Sequence, residues 1–213
     1  MFKGYRAIVI VKLLIWAACL APLCRLVYKG LTRGLGANPI EFITLSLGTW
    51  TLTFLLATLT ISPLRKLTRL NSLIRFRRLI GLFAFFYACL HFTTYIWLDK
   101  FFDLADMAKD VAKRPFITMG FLAFLLLIPL AVTSTKGSIR RLGGKRWQWL
   151  HRLIYVSSAS AVVHFWWKVK ADTHTPAIYA AILTGLLAFR IVEFFGRLKP
   201  RPVTNRSERV AED

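Results

Sequence analysis

The chain has 213 residues, of which 56% are hydrophobic, and it carries a formal net charge of +20. A soluble domain holds roughly 45–50% apolar residues and rarely gathers them into long runs, so this composition excludes an ordinary soluble fold. A strongly positive net charge is, by itself, typical of nucleic-acid-binding proteins. Here, however, the basic residues lie between apolar runs, where they set membrane topology and meet anionic lipid headgroups, and we expect no nucleic-acid partner.

Six apolar runs follow one another along the chain, each ended by charged, proline or glycine residues. A run of about 20 residues spans the ~30 Å hydrocarbon core of a bilayer as an α-helix. The sequence therefore predicts an all-α, polytopic membrane helix bundle with six transmembrane helices. The predicted helices lie at about 8–28, 41–61, 79–98, 116–133, 150–167 and 177–195.

The basic residues decide the predicted topology, since lysine and arginine in short loops are retained on the cytoplasmic side. Most of them fall near the N-terminus, in the loops after the second and fourth predicted helices, and after the last helix. We therefore expect an N-in, C-in orientation. Residues 1–196 are expected to form one six-helix transmembrane domain, and residues 197–213 a short basic cytoplasmic tail.

Three of the four histidines fall within predicted helices, where an ionisable side chain is costly and usually faces the bundle interior. His91 on the third helix and His164 on the fifth lie at similar predicted depths, about 20 Å from the cytoplasmic end. Two imidazoles at one depth can bind a haem iron from both faces, each keeping its second N–H for a neighbouring acceptor. We therefore interpret His91 and His164 as a pair of iron ligands.

The third membrane histidine, His151, lies at the cytoplasmic end of the fifth predicted helix, far enough from His164 for a second cofactor at the inner level. No histidine faces it, because Arg77 occupies the corresponding position on the third helix. Three interpretations of Arg77 stay open: an unusual iron ligand, a partner of haem propionates, or a charge that sets topology. The inner level would hold a haem with one histidine ligand, or a different cofactor.

Short motifs in a fixed order run along almost the whole chain. They are Gly34-Leu35-Gly36-Ala37-Asn38-Pro39, Arg77-Arg78-Leu79-Ile80-Gly81-Leu82 before Leu90-His91, Arg114-Pro115, Thr133-Ser134-Thr135, Leu142-Gly143, Trp147-Gln148 before Leu150-His151, and His164. With this order and spacing the chain resembles the MsrQ (YedZ) family, the haem-binding membrane subunit of the periplasmic methionine sulfoxide reductase system, within the ferric-reductase-like transmembrane superfamily. That superfamily often has two histidines on each ligand-bearing helix, and Arg77 departs from this pattern.

The resemblance implies one or two haems b held by His91, His151 and His164, with FMN as a further candidate cofactor. It also implies a multi-pass protein of the bacterial inner membrane that transfers electrons from the quinone pool or a cytoplasmic flavin reductase. Methionine sulfoxide reduction, which repairs oxidised proteins, would be catalysed by a separate periplasmic molybdopterin-containing subunit that forms a heterodimer with this chain.

Two other hypotheses come from different classes of protein. A small proton- or metal-coupled membrane transporter would use the buried histidines to relay protons or bind metal. It predicts acidic residues within the spans, where the sequence has only Glu41 and Glu193, each at or near an end. A noncatalytic membrane anchor for a partner protein would leave the three histidines without a role.

Overall fold

The computed structural model describes residues 2–169 and 173–198, and within these ranges the chain is all-helical, without strands. The predicted tail therefore lies, from residue 199 onward, outside the described residues. A 3₁₀ turn at Asn71–Leu73 precedes α3, and a π-helical turn at Tyr95–Asp99 follows it. The α-helices are α1 Phe2–Leu31, α2 Pro39–Thr68, α3 Ile74–Thr94, α4 Leu104–Lys113, α5 Pro115–Val132, α6 Lys136–Leu142, α7 Gly144–Leu150, α8 Leu153–Lys168 and α9 His174–Leu198.

Among the described residues, five helical segments are long and apolar enough to cross a membrane, and they correspond to the first four and the last of the predicted helices. They are Ile8–Leu31, Pro39–Thr68, Asn71–Asp99, Pro115–Val132 and His174–Gly196. The remaining prediction, 150–167, falls on α8. This helix has 16 residues, which corresponds to about 24 Å. It begins at Leu153 because the chain makes a turn at residues 151–152.

Polar side chains and prolines set several helix starts. Asn38 caps α2: its side-chain oxygen accepts the Glu41 N–H at 3.3 Å, and Pro39 takes the first helical position, where no N–H is needed. Asp103 caps α4 in the same way through the Asp106 N–H at 2.9 Å. The Asn38-Pro39 motif therefore marks the start of α2.

Two helix pairs form the body of the bundle: α2 packs along α3, and α5 packs along α8. Within the α2–α3 pair, Leu55, Leu59, Ala84 and Tyr87 are at most 1% exposed, and they form the most deeply buried part of the core. Helix α9 packs against α8 and α2, whereas α1 makes few contacts, with α2 and α3. The two tightly packed pairs are the elements that position the candidate site.

The buried Tyr87 holds α1 against the bundle. Its hydroxyl donates to the Cys19 carbonyl at 2.8 Å and accepts the Leu23 N–H at 3.1 Å. In an unbroken helix these two backbone groups pair with each other, and Pro22 beside them interrupts the hydrogen-bond ladder. One side chain from α3 thus forms hydrogen bonds with two backbone groups of α1 that could not bond to water inside a membrane.

We expect Tyr87→Phe to destabilise the protein by roughly 1–3 kcal/mol, because both backbone groups lose a buried partner while the packing volume is nearly unchanged. Thermal unfolding in detergent measures the loss. Tyr28→Phe is the matched control, since its side chain is 66% exposed. Equal midpoints for the two variants would show that Tyr87 does not hold α1.

Arg190 on α9 has a similar structural role. Its Nη2 donates to the Leu59 carbonyl at 3.4 Å, and its guanidinium lies 5.8 Å from the centre of the Tyr155 ring. The residue four positions after Leu59 is Pro63, which has no N–H to donate to that carbonyl. A guanidinium within the bundle is therefore explained by a carbonyl that proline leaves unpaired.

Candidate functional site

The structure brings His91 and His164 together, as their predicted depths indicated. His91 lies near the end of α3 and His164 near the end of α8. Their ring centroids are 6.2 Å apart and the ring planes are inclined by 72°. Two imidazoles from different helix pairs therefore face each other across a short gap.

Each of these imidazoles is oriented by a backbone carbonyl of the neighbouring helix. The Nδ1 of His91 donates to the Thr44 carbonyl on α2 at 2.9 Å, and the Nδ1 of His164 donates to the Phe116 carbonyl on α5 at 2.6 Å. A carbonyl can only accept, so both rings carry their hydrogen on Nδ1. The Nε2 atom of each neutral ring keeps its lone pair for a ligand.

Two glycines create the space in which these rings lie. A Cβ added at Gly48 would lie 3.0 Å from Cε1 of His91, and one added at Gly120 would lie 2.7 Å from Nδ1 of His164. Each glycine comes one helical turn after the carbonyl that accepts from the same ring. The two halves of the site are therefore built alike, with a carbonyl and a glycine on one helix and a histidine on its partner.

Gly48 and Gly120 were not predicted as site residues. The available signal was an isolated glycine inside a long apolar helix, which lowers helix propensity and often marks a close approach of another group. That signal does not say which side chain approaches, because the histidines lie more than 40 positions further along the chain.

A buried serine helps to set the rotation of α8 that points His164 inward. The Ser157 hydroxyl is fully buried and donates to the Ala123 carbonyl of α5 at 3.0 Å. Ser157 precedes His164 by two helical turns, and Ala123 follows Phe116 by the same interval on the opposing helix. The two hydrogen bonds together determine how α8 is aligned against α5.

The two imidazoles line a cavity of about 1260 Å³. This volume exceeds the ~300–1,000 Å³ of common small-molecule pockets. Much of its wall is apolar or aromatic, while charged side chains line the part near the starts of α2 and α5 and the end of α8. The apolar and aromatic lining includes Leu52, Leu55, Ala88, Phe92, Phe121, Phe124 and Leu127, and the charged lining includes Glu41, Asp99, Arg114 and Lys168.

The donor set would fit a large, flat cofactor whose metal takes two imidazole nitrogens from the protein. A metal held between two imidazole nitrogens at about 2.0–2.1 Å from each would place the ring centroids roughly 6 Å apart, and the observed separation is 6.2 Å. Among the described residues, no group of three or more His, Cys, Asp or Glu side chains could hold a bare metal ion. A macrocycle that supplies its own in-plane ligands needs no such group.

His151 and Arg77 do not line this cavity. His151 follows α7, in the turn before α8, and its ring stacks on Trp147 with centroids 3.8 Å apart. Its Nδ1 donates to the Trp147 carbonyl at 3.0 Å, and its buried Nε2 has no hydrogen-bond partner among the described residues. Arg77 on α3 is partly buried and close enough for its charge to act on His151.

A family model described as "Ferric reductase like transmembrane component" matches residues 43–162, which include α3, α5, most of α2 and the first part of α8. The chain is also similar to curated proteins named "Protein-methionine-sulfoxide reductase heme-binding subunit MsrQ". The one from Herminiimonas arsenicoxydans is 58% identical over 85% of this chain and 84% of its own length. Those from Ralstonia nicotianae and Bordetella pertussis are 53% and 48% identical, over 89% and 90% of this chain and 87% and 94% of their own lengths.

The bundle geometry and these similarities agree. The described residues form five apolar helices of membrane-spanning length, and His91 on α3 faces His164 on α8. The chain also matches its relatives over most of their length. It is a multi-pass membrane protein, and it belongs to the MsrQ family of ferric-reductase-like transmembrane components.

Proposed function

We propose that this chain is a membrane subunit that binds haem b between His91 and His164 and transfers electrons. The observation that carries the proposal is the pair of imidazoles, 6.2 Å apart and each oriented by a carbonyl, that line one large and mainly apolar cavity. The relatives support it, because their names describe a heme-binding subunit.

When bound, haem supplies one-electron chemistry through its iron. The residues of this chain hold and tune it. Donation of Nδ1–H to a carbonyl makes the opposite ring nitrogen a stronger ligand and prevents the ring from rotating. His91 and His164 would both hold the group, and with two protein ligands it would supply electron transfer rather than oxygen activation. Phe92 and Phe124 form part of the apolar wall around the site.

At the inner level we propose that His151 and Arg77 contribute to a second cofactor site, for another haem or for FMN. A buried Nε2 atom without a hydrogen-bond partner among the described residues supports a ligand at His151, because an unsatisfied buried nitrogen is costly. The cationic Arg77 nearby suits the propionates of a haem or the phosphate of FMN.

We further propose six spans, with α8 as a short one, in an N-in, C-in orientation in the bacterial inner membrane. The excess of basic residues in the loops after α2 and α5 supports this topology. Electrons would enter from the quinone pool or a cytoplasmic flavin reductase. They would leave to a periplasmic molybdopterin-containing subunit that reduces methionine sulfoxide. The relatives' names support only the link to a methionine sulfoxide reductase.

Purification from membranes, followed by absorption spectroscopy and measurement of haem and flavin per chain, tests the proposal. We expect a Soret band that shifts on reduction with dithionite, and at least one haem per chain. A preparation that folds but contains no haem, even after haem is added during expression, would contradict the proposal. It would favour the transporter hypothesis instead.

A further inference from the structure

Helix α4 covers part of the histidine cavity with its apolar face. Its apolar residues Leu104, Met107, Ala108 and Val111 follow the spacing of one face of an α-helix, and all four line the cavity. The charged residues of α4 fall on its other sides. This short helix therefore closes part of the cavity that the spans leave open.

A buried carboxylate fixes α4 in this position. Asp110 is 6% exposed, and its Oδ2 lies 2.5 Å from Nζ of Lys100. Its Oδ1 lies 3.3 Å from Nε of Arg114, and the Tyr95 hydroxyl donates to Oδ2 at 3.5 Å. These partners lie at the end of the α3 segment and at the start of α5. Asp110 thus joins α4 to both of the spans that flank it.

The segment before α4 adopts a backbone conformation that needs such support. Phe101 and Phe102 have φ values of 47° and 63°, in the left-handed region that bulky residues rarely adopt. Strain of this kind persists only where surrounding contacts hold it. Lys100, just before these two residues, forms ion pairs with α4, just after them. These ion pairs therefore stabilise the strained backbone between Lys100 and α4.

Lys100 is fully charged at neutral pH in this arrangement. Hydrogen bonds to Asp106 and Asp110 raise the pKa of Lys100 above its usual range, and the bond from Lys100 lowers the pKa of Asp106. The side chain of Lys100 is only 10% exposed. Removal of the Asp110 charge therefore leaves a mostly buried ammonium with a single partner at the protein surface.

We propose that Asp110 is a positioning residue for the cofactor cavity: by holding α4 over the cavity, it slows the escape of bound haem to the outer aqueous phase. This inference rests on the proposed haem site. Asp110 does not line the cavity and acts only through the placement of α4.

The test compares haem release from purified ferric proteins to an excess of apomyoglobin, followed by absorbance. We expect Asp110→Asn to release haem about 10-fold faster than the parent protein. Residues that support metal ligands typically change metal affinity about 10–100-fold, and this effect lies at the lower end of that range. Its initial spectrum should be unchanged, because both histidines remain. Asp110→Glu should restore slow release at least in part, since it restores the charge.

Asp106→Asn is the matched control. It removes the other carboxylate bound to Lys100. The Asp106 side chain is 50% exposed, however, and it joins α4 only to the end of the α3 segment and not to α5. Its release rate should stay within about twofold of the parent rate, as expected for an exposed ion pair.

A second variant keeps the test informative if Asp110→Asn does not fold. The double variant Lys100→Met/Asp110→Asn removes the mostly buried charge together with its partner, and it should also release haem faster. Parent-like release from the double variant, or from a folded Asp110→Asn, would overturn the role of Asp110. A parent protein without any Soret band would instead refute the haem site itself, so the two failures are distinguishable.

Discussion

We expect His91→Ala and His164→Ala each to weaken haem binding by roughly 100-fold or more. Loss of a metal ligand should cost more than loss of a residue that only supports a ligand, which typically lowers affinity about 10–100-fold. Each substitution removes the only imidazole on one side of the cavity. It also leaves a backbone carbonyl, at Thr44 or Phe116, without its side-chain donor. The measurements are haem per chain and the spectral change on reduction with dithionite.

His174→Ala is the control for this prediction, because His174 is exposed at the start of α9 and does not line the cavity. It should keep the haem content of the parent protein. Full haem content with an unchanged reduced spectrum in both His91→Ala and His164→Ala would rule out this pair as the ligands. Partial retention of haem, with an altered spectrum, is the result expected if His151 holds a second haem.

We expect Gly120→Ala to impair the site although it changes neither ligand nor charge. The added Cβ would lie 2.7 Å from Nδ1 of His164, so the ring must move and its bond to the Phe116 carbonyl is disturbed. Alanine in an exposed helix position is better than glycine by about 1 kcal/mol. At Gly120 the collision outweighs this gain, because the ring is held between two helices and cannot retreat without rotating.

Gly185→Ala on α9 is the matched control, since no atom lies within 4 Å of its added Cβ. It should leave haem content unchanged and raise thermal stability slightly. Gly48→Ala should have an intermediate effect, because its Cβ would meet Cε1 of His91 at 3.0 Å. Haem titration of the purified variants should show a loss of roughly 10- to 100-fold for Gly120→Ala. Equal affinities for Gly120→Ala and Gly185→Ala would contradict the packing argument.

The arrangement explains why both helix pairs are needed. His91 depends on α2 for its carbonyl and its space, and His164 depends on α5 in the same way. Neither pair can bind a metal from both sides alone. A cofactor between the imidazoles would therefore tie the two pairs together, and its loss should lower the thermal stability of the whole bundle.

Much of the architecture could be predicted from local properties of the sequence. Apolar runs of membrane-spanning length identified the long helices, because helix formation in lipid satisfies backbone hydrogen bonds within each segment and needs no information from elsewhere in the chain. The pairing of His91 with His164 also followed from the sequence alone, since depth along a helix depends only on the count of residues from its end.

The rest depended on contacts between distant segments. A helix that is apolar on all sides does not show which face meets which neighbour, so neither the approach of Gly48 and Gly120 nor the carbonyl partners of the histidines could be predicted. The turn at His151 and Arg152 was missed because it contains neither proline nor glycine, the residues that most clearly mark a break in a helix. The positions of the long helices and the depth of the histidines could thus be predicted from local properties. The rotation of the helices required the tertiary structure, because it is set by packing and hydrogen bonds between helices.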